Sequence, residues 1–168
     1  METRSYEGLQ DLHAMLDLLS EGARSDNGTH YIHRGDLQWW LFYGEMPELV
    51  WRSNVSLWFE HGRMSGWILL SPNEQAFDVF VAPHLRGSHK EEEMLAWALE
   101  HMPSLESVSN VWAAAQDEVR IQWLEGHGFT RQPQHMVYFR RSLSRSLDGP
   151  PLPEGFRLCS SHGGEEDA

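Results

Sequence analysis

The hydrophobic pattern of the chain changes its period near residue 50, and this change limits the folds that the chain can adopt. In residues 7–22, leucines recur at the three- and four-residue spacing of an amphipathic helix. The stretch VSLWFEHGRMSGWILLS, residues 55–71, alternates instead and predicts two antiparallel strands joined by a turn at 61–63. AFDVFVAP, residues 76–83, predicts a third strand. The chain therefore combines helices with a sheet.

Further elements precede and follow these strands. LQWWLFYG, residues 37–44, predicts a helix that is apolar nearly all round and hence buried. Asp117 is a suitable N-cap for a helix that runs to about residue 125. This order predicts an α+β or mixed α/β domain, with a twisted, mostly antiparallel sheet and helices on both faces. The other predicted elements are a helix over 91–102 and strands over 107–115 and 134–143.

Composition restricts the class of protein. The chain has 168 residues and is 40% hydrophobic, which is enough for one globular domain with a substantial core. Its formal net charge of −12 disfavours nucleic acid and anionic membranes as partners, and it favours cationic partners such as amines. The sequence contains no apolar run of membrane-spanning length and no signal-peptide core at its N-terminus. We therefore expect a cytoplasmic protein.

Several kinds of site lack support in the sequence. A single cysteine, Cys159, provides neither a disulfide framework nor a thiolate metal cluster. The ten histidines form no H-x-H or H-E-x-x-H spacing, so no metal site is expected. No G-x-S-x-G motif occurs, and nucleophilic hydrolysis is therefore not predicted.

The C-terminal part differs in composition from the rest of the chain. SRSLDGPPLPEG, residues 144–155, is rich in Pro and Gly and predicts a linker. The predicted domain therefore covers residues 1–143, and residues 156–168 form a tail that is too short to fold alone. The apolar run in that tail would add as a strand to the sheet edge of another chain, which predicts self-association.

One segment has the pattern of an anion-binding junction. Residues 79–94 contain the end of a strand, a tight loop and the start of a helix, where partial positive charge collects. Within the loop, Arg86 supplies a cation, Gly87 a permissive backbone position and Ser88 a small side chain. These are the components of a phosphate cradle.

The order of elements resembles that of the GNAT (GCN5-related) N-acetyltransferase family, and three stretches carry the resemblance. VAPHLRG, residues 81–87, is similar to the V-x-P-x-x-R-G entry into the family's acetyl-CoA loop. DEVRIQWLEGHGF, residues 117–129, resembles its late helix, and residues 134–143 resemble its last strand. The tail resembles the opening of a second GNAT domain, as in a tandem protein.

The resemblance implies a cosubstrate and a direct-attack reaction. Acetyl-CoA would donate its acetyl group to an amine of a small molecule or peptide, with no covalent enzyme intermediate. Backbone groups around Phe80 and Val81 would hold the pantetheine arm and polarise the thioester carbonyl. The pyrophosphate would be held by backbone amides of Arg86, Gly87, Ser88, His89, Lys90 and Glu91.

Two departures from the family pattern support an alternative. The two positions of the loop that are usually small are His89 and Glu91, and their side chains narrow the space for phosphate oxygens. The position of the usual tyrosine general acid is Leu124, which cannot donate a proton. The alternative is a degenerate, non-catalytic GNAT domain that serves as a structural or interaction module for an active partner domain. The expected protein partner is a second GNAT domain or, in a homodimer, a second copy of the chain.

The catalytic proton donors and acceptors are open choices. Asp78, on the strand before the loop, is a candidate general base, and Glu60 and His61 near the hairpin are further candidates. Tyr138, on the last predicted strand, is a candidate general acid, or else packs in the core. The aromatic run over residues 39–42 either walls the acceptor pocket or contributes to the core.

Overall fold

The computed structural model describes residues 1–25, 32–42, 53–72, 75–102, 110–133, 142, 144, 149 and 151–157. The chain divides into two compact units, residues 1–130 and 131–168. All helices and strands given below belong to the first unit.

The first unit begins with a short strand and two helices, continues with three consecutive strands, and ends with a helix, a short strand and a last helix. A 3₁₀ turn, Pro83–Leu85, lies between β4 and α3. The elements in chain order are β1 (Glu2–Ser5), α1 (Leu9–Ser25), α2 (Arg34–Phe42), β2 (Val55–Glu60), β3 (Arg63–Ser71), β4 (Ala76–Val81), α3 (His89–His101), β5 (Asn110–Val111) and α4 (Glu118–Gly126).

The five strands form one sheet in the order β1-β2-β3-β4-β5. The first four strands pair antiparallel, and β5 runs parallel to β4. In the centre of the sheet, Trp67 lies opposite Phe80 and Gly66 lies opposite Val81. The prediction of a mixed α/β domain with a mostly antiparallel sheet is confirmed.

Helices cover both faces of this sheet. On one face the rings of Trp67 and Phe80 stack with centroids 5.7 Å apart. Helix α1 packs there, since a methyl group at Gly22 would lie 2.8 Å from the ring of Phe80. On the other face α3 approaches closely, because a methyl group at Gly66 would lie 2.6 Å from Cε of Met94. The absence of a Cβ at these two glycines lets both helices reach the sheet.

The strongest local patterns are confirmed by the structure. The amphipathic helix is α1, and the alternating segment forms the hairpin β2–β3 with its turn at His61 and Gly62. Asp117 is the N-cap of α4, where its side chain accepts a hydrogen bond from the N–H of Arg120 at 3.2 Å. Short-range sequence rules suffice where the cause is itself short-range.

Two features of the N-terminal half differ from expectation. The sequence pattern gave no sign of β1, because its four residues are all exposed and contain no apolar alternation. Backbone pairing with β2 forms this strand, and Arg4 forms an ion pair with Asp11 of α1 that ties it down. Helix α2 was predicted to be buried, but Trp39 and Phe42 are 55% and 49% exposed, and its buried residues are Leu37 and Leu41.

Some predicted elements lie largely outside the described residues. The predicted strand over 134–143 is described only at Ser142, and the predicted linker and tail only at 144, 149 and 151–157. Of the predicted strand over 107–115, the described part contains β5. None of the described helices has the length and apolar character that a membrane crossing requires.

Candidate functional site: an open strand edge beside a closed loop

The edge of β4 that faces β5 is paired over only two residues. Ala76 pairs with Asn110 and Phe77 with Val111, and β5 ends there. Among the described residues no strand continues this pairing along β4 toward Val81. Within the part of the chain that the structure describes, the second half of β4 therefore has an unpaired main-chain edge beside the end of β5.

The hydrogen-bond phase of the sheet decides which residues face that edge. The N–H of Ala82 donates to the carbonyl of Ser65 on β3 at 2.8 Å. Because main-chain groups alternate in direction along a strand, Phe80 also bonds toward β3, while Val79 and Val81 point their N–H and C=O groups toward the opening. The main-chain groups of Phe80 are thus directed to β3, and those of Val81 are directed away from it.

Asp78 is a buried carboxylate on the same part of β4. It is 3% exposed, and neither of its carboxylate oxygens forms a hydrogen bond within the described part of the chain. Burial raises the pKa of Asp78 to about 6, against the opposing effects of the Arg120 charge and of the Val79 N–H, which falls short of hydrogen-bond geometry. A carboxyl that titrates near neutrality is suited to general base catalysis.

The surroundings of Asp78 contain a second unsatisfied polar group. Asp78 shares a face of the sheet with Phe80, and Phe80 stacks on Trp67, so all three side chains lie on one face. The indole Nε1 of Trp67 is also buried and bonds to no acceptor in the described residues. Buried polar groups in proteins normally have partners. A buried donor and a buried acceptor, neither with a partner among the described residues, are therefore diagonal neighbours on this face of β3 and β4.

The loop that follows β4 is closed by its own hydrogen bonds. The N–H groups of Leu85, Arg86 and Ser88 each donate to the carbonyl three residues earlier. Gly87 has φ +68°, a conformation that glycine adopts without strain, and its missing Cβ leaves space for Val119 of α4. Few amides of this loop therefore remain for a ligand.

Glu91 takes the amide of Gly87. Its Oε2 accepts the Gly87 N–H at 2.7 Å, while Oε1 accepts both Nε and Nη2 of Arg120, at 2.8 and 2.5 Å. Glu91 is 2% and Arg120 3% exposed, so the pair is buried. A protein carboxylate therefore occupies a position where the sequence predicted a phosphate oxygen.

The other charged residues of the loop are directed elsewhere. Lys90 pairs with Glu60 at the end of β2, and His89 is exposed between Glu92 and Glu93. The guanidinium of Arg86 lies beside α1, where a methyl group at Gly22 would be 3.2 Å from its Nη2. A shallow concavity of about 390 Å³ is lined by Met1, Glu2, Phe59, Glu60, His61 and Lys90.

The remaining predicted residues divide into three groups. Leu124 is buried in α4, so the structure supplies no phenol at that position. Tyr138 lies outside the described residues. Of the aromatic run, Leu41 belongs to the core and Trp40 packs against it, whereas the more exposed Trp39 and Phe42 do not. Within the described residues no group of His, Cys, Asp and Glu has an arrangement that would hold a metal ion.

Two contributors were missed by the sequence interpretation. Arg120, which joins the loop to α4, lies 29 residues from its partner Glu91, and no sequence spacing links the two. Val79 was not singled out because the phase of main-chain bonding is invisible in the pattern of side chains. The position of Arg120 three residues after an N-cap aspartate was the one signal that it lies in the first turn of a helix.

The fold is that of known acetyltransferase structures, although the sequence alone matches no protein-family model and no curated protein. A GCN5-related N-acetyltransferase from Sphaerobacter thermophilus superposes with a TM-score of 0.55 at 14% identity, over 77% of this chain and 43% of that one. A ribosomal-protein-alanine N-acetyltransferase from Brucella melitensis gives 0.54 at 18% identity, over 76% and 83%. The chain thus spans less than half of the Sphaerobacter protein. It has the GNAT fold.

Proposed function

We propose that this chain transfers an acetyl group from acetyl-CoA to an amine of a small molecule or peptide. The observation that carries the proposal is the position of Asp78, which is buried and has no hydrogen-bond partner among the described residues. It lies on the strand whose edge, in the same described part of the chain, is unpaired at Val79 and Val81. A thioester arm that adds to this edge would form main-chain hydrogen bonds like those of another strand.

The donor half of the reaction would use main-chain groups of β4. An N–H of the open edge, that of Val81, would donate to the thioester oxygen as negative charge develops there. Since this amide belongs to a strand that is already paired with β3, its direction is fixed before the donor binds. Preorganised donors of this kind stabilise the transition state without reorganisation.

The acceptor half would use Asp78. In its ionised form the carboxylate would bind a substrate ammonium and remove its proton, after which the free amine attacks the thioester carbon. The new C–N bond forms as the C–S bond breaks. The nitrogen then releases its second proton, which the departing thiolate takes up to give the free thiol of CoA. The indole N–H of Trp67 on the same face would orient a polar atom of the acceptor.

The class of acceptor follows from charge and from one structural neighbour. The net charge of −12 favours cationic amines at the mouth of the site. The Brucella neighbour is a ribosomal-protein-alanine N-acetyltransferase by name, which makes a peptide amine a reasonable member of the screen. The proposal therefore includes both small-molecule and peptide amines.

A non-catalytic role is the second candidate, and two observations favour it. Glu91 already occupies the Gly87 amide, and Leu124 provides no general acid. In that case the domain would act as a structural or interaction module for an active partner domain. The two candidates differ in whether the chain releases CoA thiol in the presence of any amine.

The test is an acceptor screen that measures thiol release from acetyl-CoA, with the wild-type chain and Asp78→Asn side by side. We expect at least one amine to give turnover that rises with pH through about 6, the pKa of Asp78, and that falls by about a hundredfold or more in Asp78→Asn. Asp17→Asn, at an exposed position of α1, controls for the loss of one negative charge. Turnover that is equal in Asp78→Asn would exclude Asp78 as the base, and no turnover with any amine would favour the second candidate.

A further inference from the structure

We propose that the site recognises its acyl donor through the pantetheine arm alone and that the diphosphate of CoA adds little to binding, because Glu91 acts as a permanent internal anion in the loop. This inference rests on the proposed function and specifies the part of the donor that the site reads. It makes any acyl-pantetheine thioester, with or without the nucleotide, a donor of similar affinity.

The first step of the argument is that the hydrogen bonds of Glu91 are internal. One oxygen accepts from the Gly87 N–H, and the other accepts twice from Arg120. Both residues are almost fully buried, so the carboxylate is shielded from solvent. To bind the Gly87 amide, a phosphate oxygen would have to displace the carboxylate of Glu91. This carboxylate belongs to the same chain, only four residues away, and its effective concentration is therefore very high.

The second step concerns the other amides of the loop. Leu85, Arg86 and Ser88 donate to carbonyls within the loop, and Glu91 donates to the carbonyl of Ser88. Between residues 85 and 92, the N–H groups of His89 and Lys90 are the ones that bond to no acceptor in the described structure. Two adjacent amides offer much less than the cradle that the sequence predicted.

The third step is electrostatic. A diphosphate at the start of α3 would lie beside Glu91, Glu92 and Glu93. Lys90, the cation on the same turn, is paired with Glu60, and Arg120 is paired with Glu91. These two cations therefore already have acidic partners, and the guanidinium of Arg86 is directed to Gly22 of α1. The pantetheine arm, in contrast, is uncharged and would bind at the separate β4 edge.

The experiment compares acetyl-CoA with S-acetylpantetheine on the wild-type chain by NMR titration, which measures Kd into the millimolar range. Two working charge-assisted hydrogen bonds to phosphate would favour acetyl-CoA by about a hundredfold or more. We expect the two Kd values to agree within about threefold, since the phosphates find no such bonds here. We also expect the amide signals of Val79 and Val81 to shift with both ligands, while that of Gly87 shifts with neither.

The titration distinguishes a failure of this inference from a failure of the proposed function. Acetyl-CoA binding more than about thirtyfold tighter than S-acetylpantetheine, with a shift of the Gly87 amide, would overturn this inference and leave the proposed function intact. A titration in which neither compound binds would overturn the proposed function, and the inference with it.

A variant pair tests the role of Glu91 itself. The double variant Glu91→Ala with Arg120→Ala removes both buried charges together and frees the Gly87 amide, so acetyl-CoA should gain about tenfold over S-acetylpantetheine. Glu100→Ala, at an exposed position in the last turn of the same helix, should leave the ratio unchanged and serves as the matched control. An unchanged ratio in a folded double variant would contradict the role of Glu91. If the double variant does not fold, the wild-type ratio still decides the question.

Discussion

Replacement of Asp78 by Asn should make the protein more stable at neutral pH, and the gain should disappear in acid. Asp78 is fully buried and its carboxylate lacks hydrogen bonds in the described structure, so its ionised form is disfavoured in the folded chain. The pKa of Asp78 is about 6, compared with an ordinary value of 3.8. Asparagine has nearly the same shape and carries no charge at any pH.

The sign and size of the effect follow from this raised pKa. A carboxyl whose folded-state pKa exceeds its unfolded-state value destabilises the fold progressively as pH rises from about 4 to about 6, and fully above that window. A difference of about two pKa units corresponds to about 3 kcal/mol. For a chain of this length, the resulting shift in Tm is roughly 6–12 °C.

The assay is urea unfolding of the wild-type chain and Asp78→Asn at several pH values between 4 and 8. Any effect of the amide group itself is common to all pH values, so the change in the stability difference between pH 4 and pH 8 isolates the charge. We expect the variant to gain about 3 kcal/mol relative to wild type over that range. Stability curves that run parallel for the two proteins, or a wild-type chain that gains on the variant as pH rises, would refute the assignment of a buried, desolvated carboxyl.

Three further predictions concern stability and are measured by thermal or urea unfolding. Arg120→Met leaves Glu91 buried without its charge partner and should cost about 3–5 kcal/mol; a loss below 1 kcal/mol would mean that the pair is exposed to water. Gly66→Ala places a methyl group 2.6 Å from Cε of Met94 on α3 and 2.7 Å from the carbonyl of Phe80, and should cost about 1–3 kcal/mol. An equally stable variant would show that α3 packs more loosely on the sheet. Hydrogen bonds from Arg4 lower the pKa of Asp11. The stability that Asp11 adds is therefore present above its ordinary pKa and should be lost as pH falls through the lowered pKa. Asp11→Asn should remove this loss of stability at low pH. A variant that loses as much stability in acid as the wild type would contradict the prediction.

The sequence by itself determined those parts of the fold whose causes are local. The alternation over residues 55–71 specified the hairpin, because a strand with one face in the core needs period-two hydrophobicity. Asp117 marked the start of α4, since its side chain caps an amide only three residues away. The strand, loop and helix at residues 79–94 were predicted for the same reason. Asp78, on that strand, was identified as one of several candidate general bases.

Tertiary structure decided the features that join distant parts of the chain. Strand β1 exists because β2 offers it a partner, and nothing in its four residues requires a strand. The phase of main-chain bonding at Val79 and Val81 depends on how β4 pairs with β3, which side-chain patterns do not record. From the sequence, the side chain of Glu91 was expected only to narrow the space for phosphate oxygens in the loop. Only the contact with Arg120 of α4 makes it a buried, paired carboxylate, because the burial of a charged group is costly unless the folded structure supplies a partner.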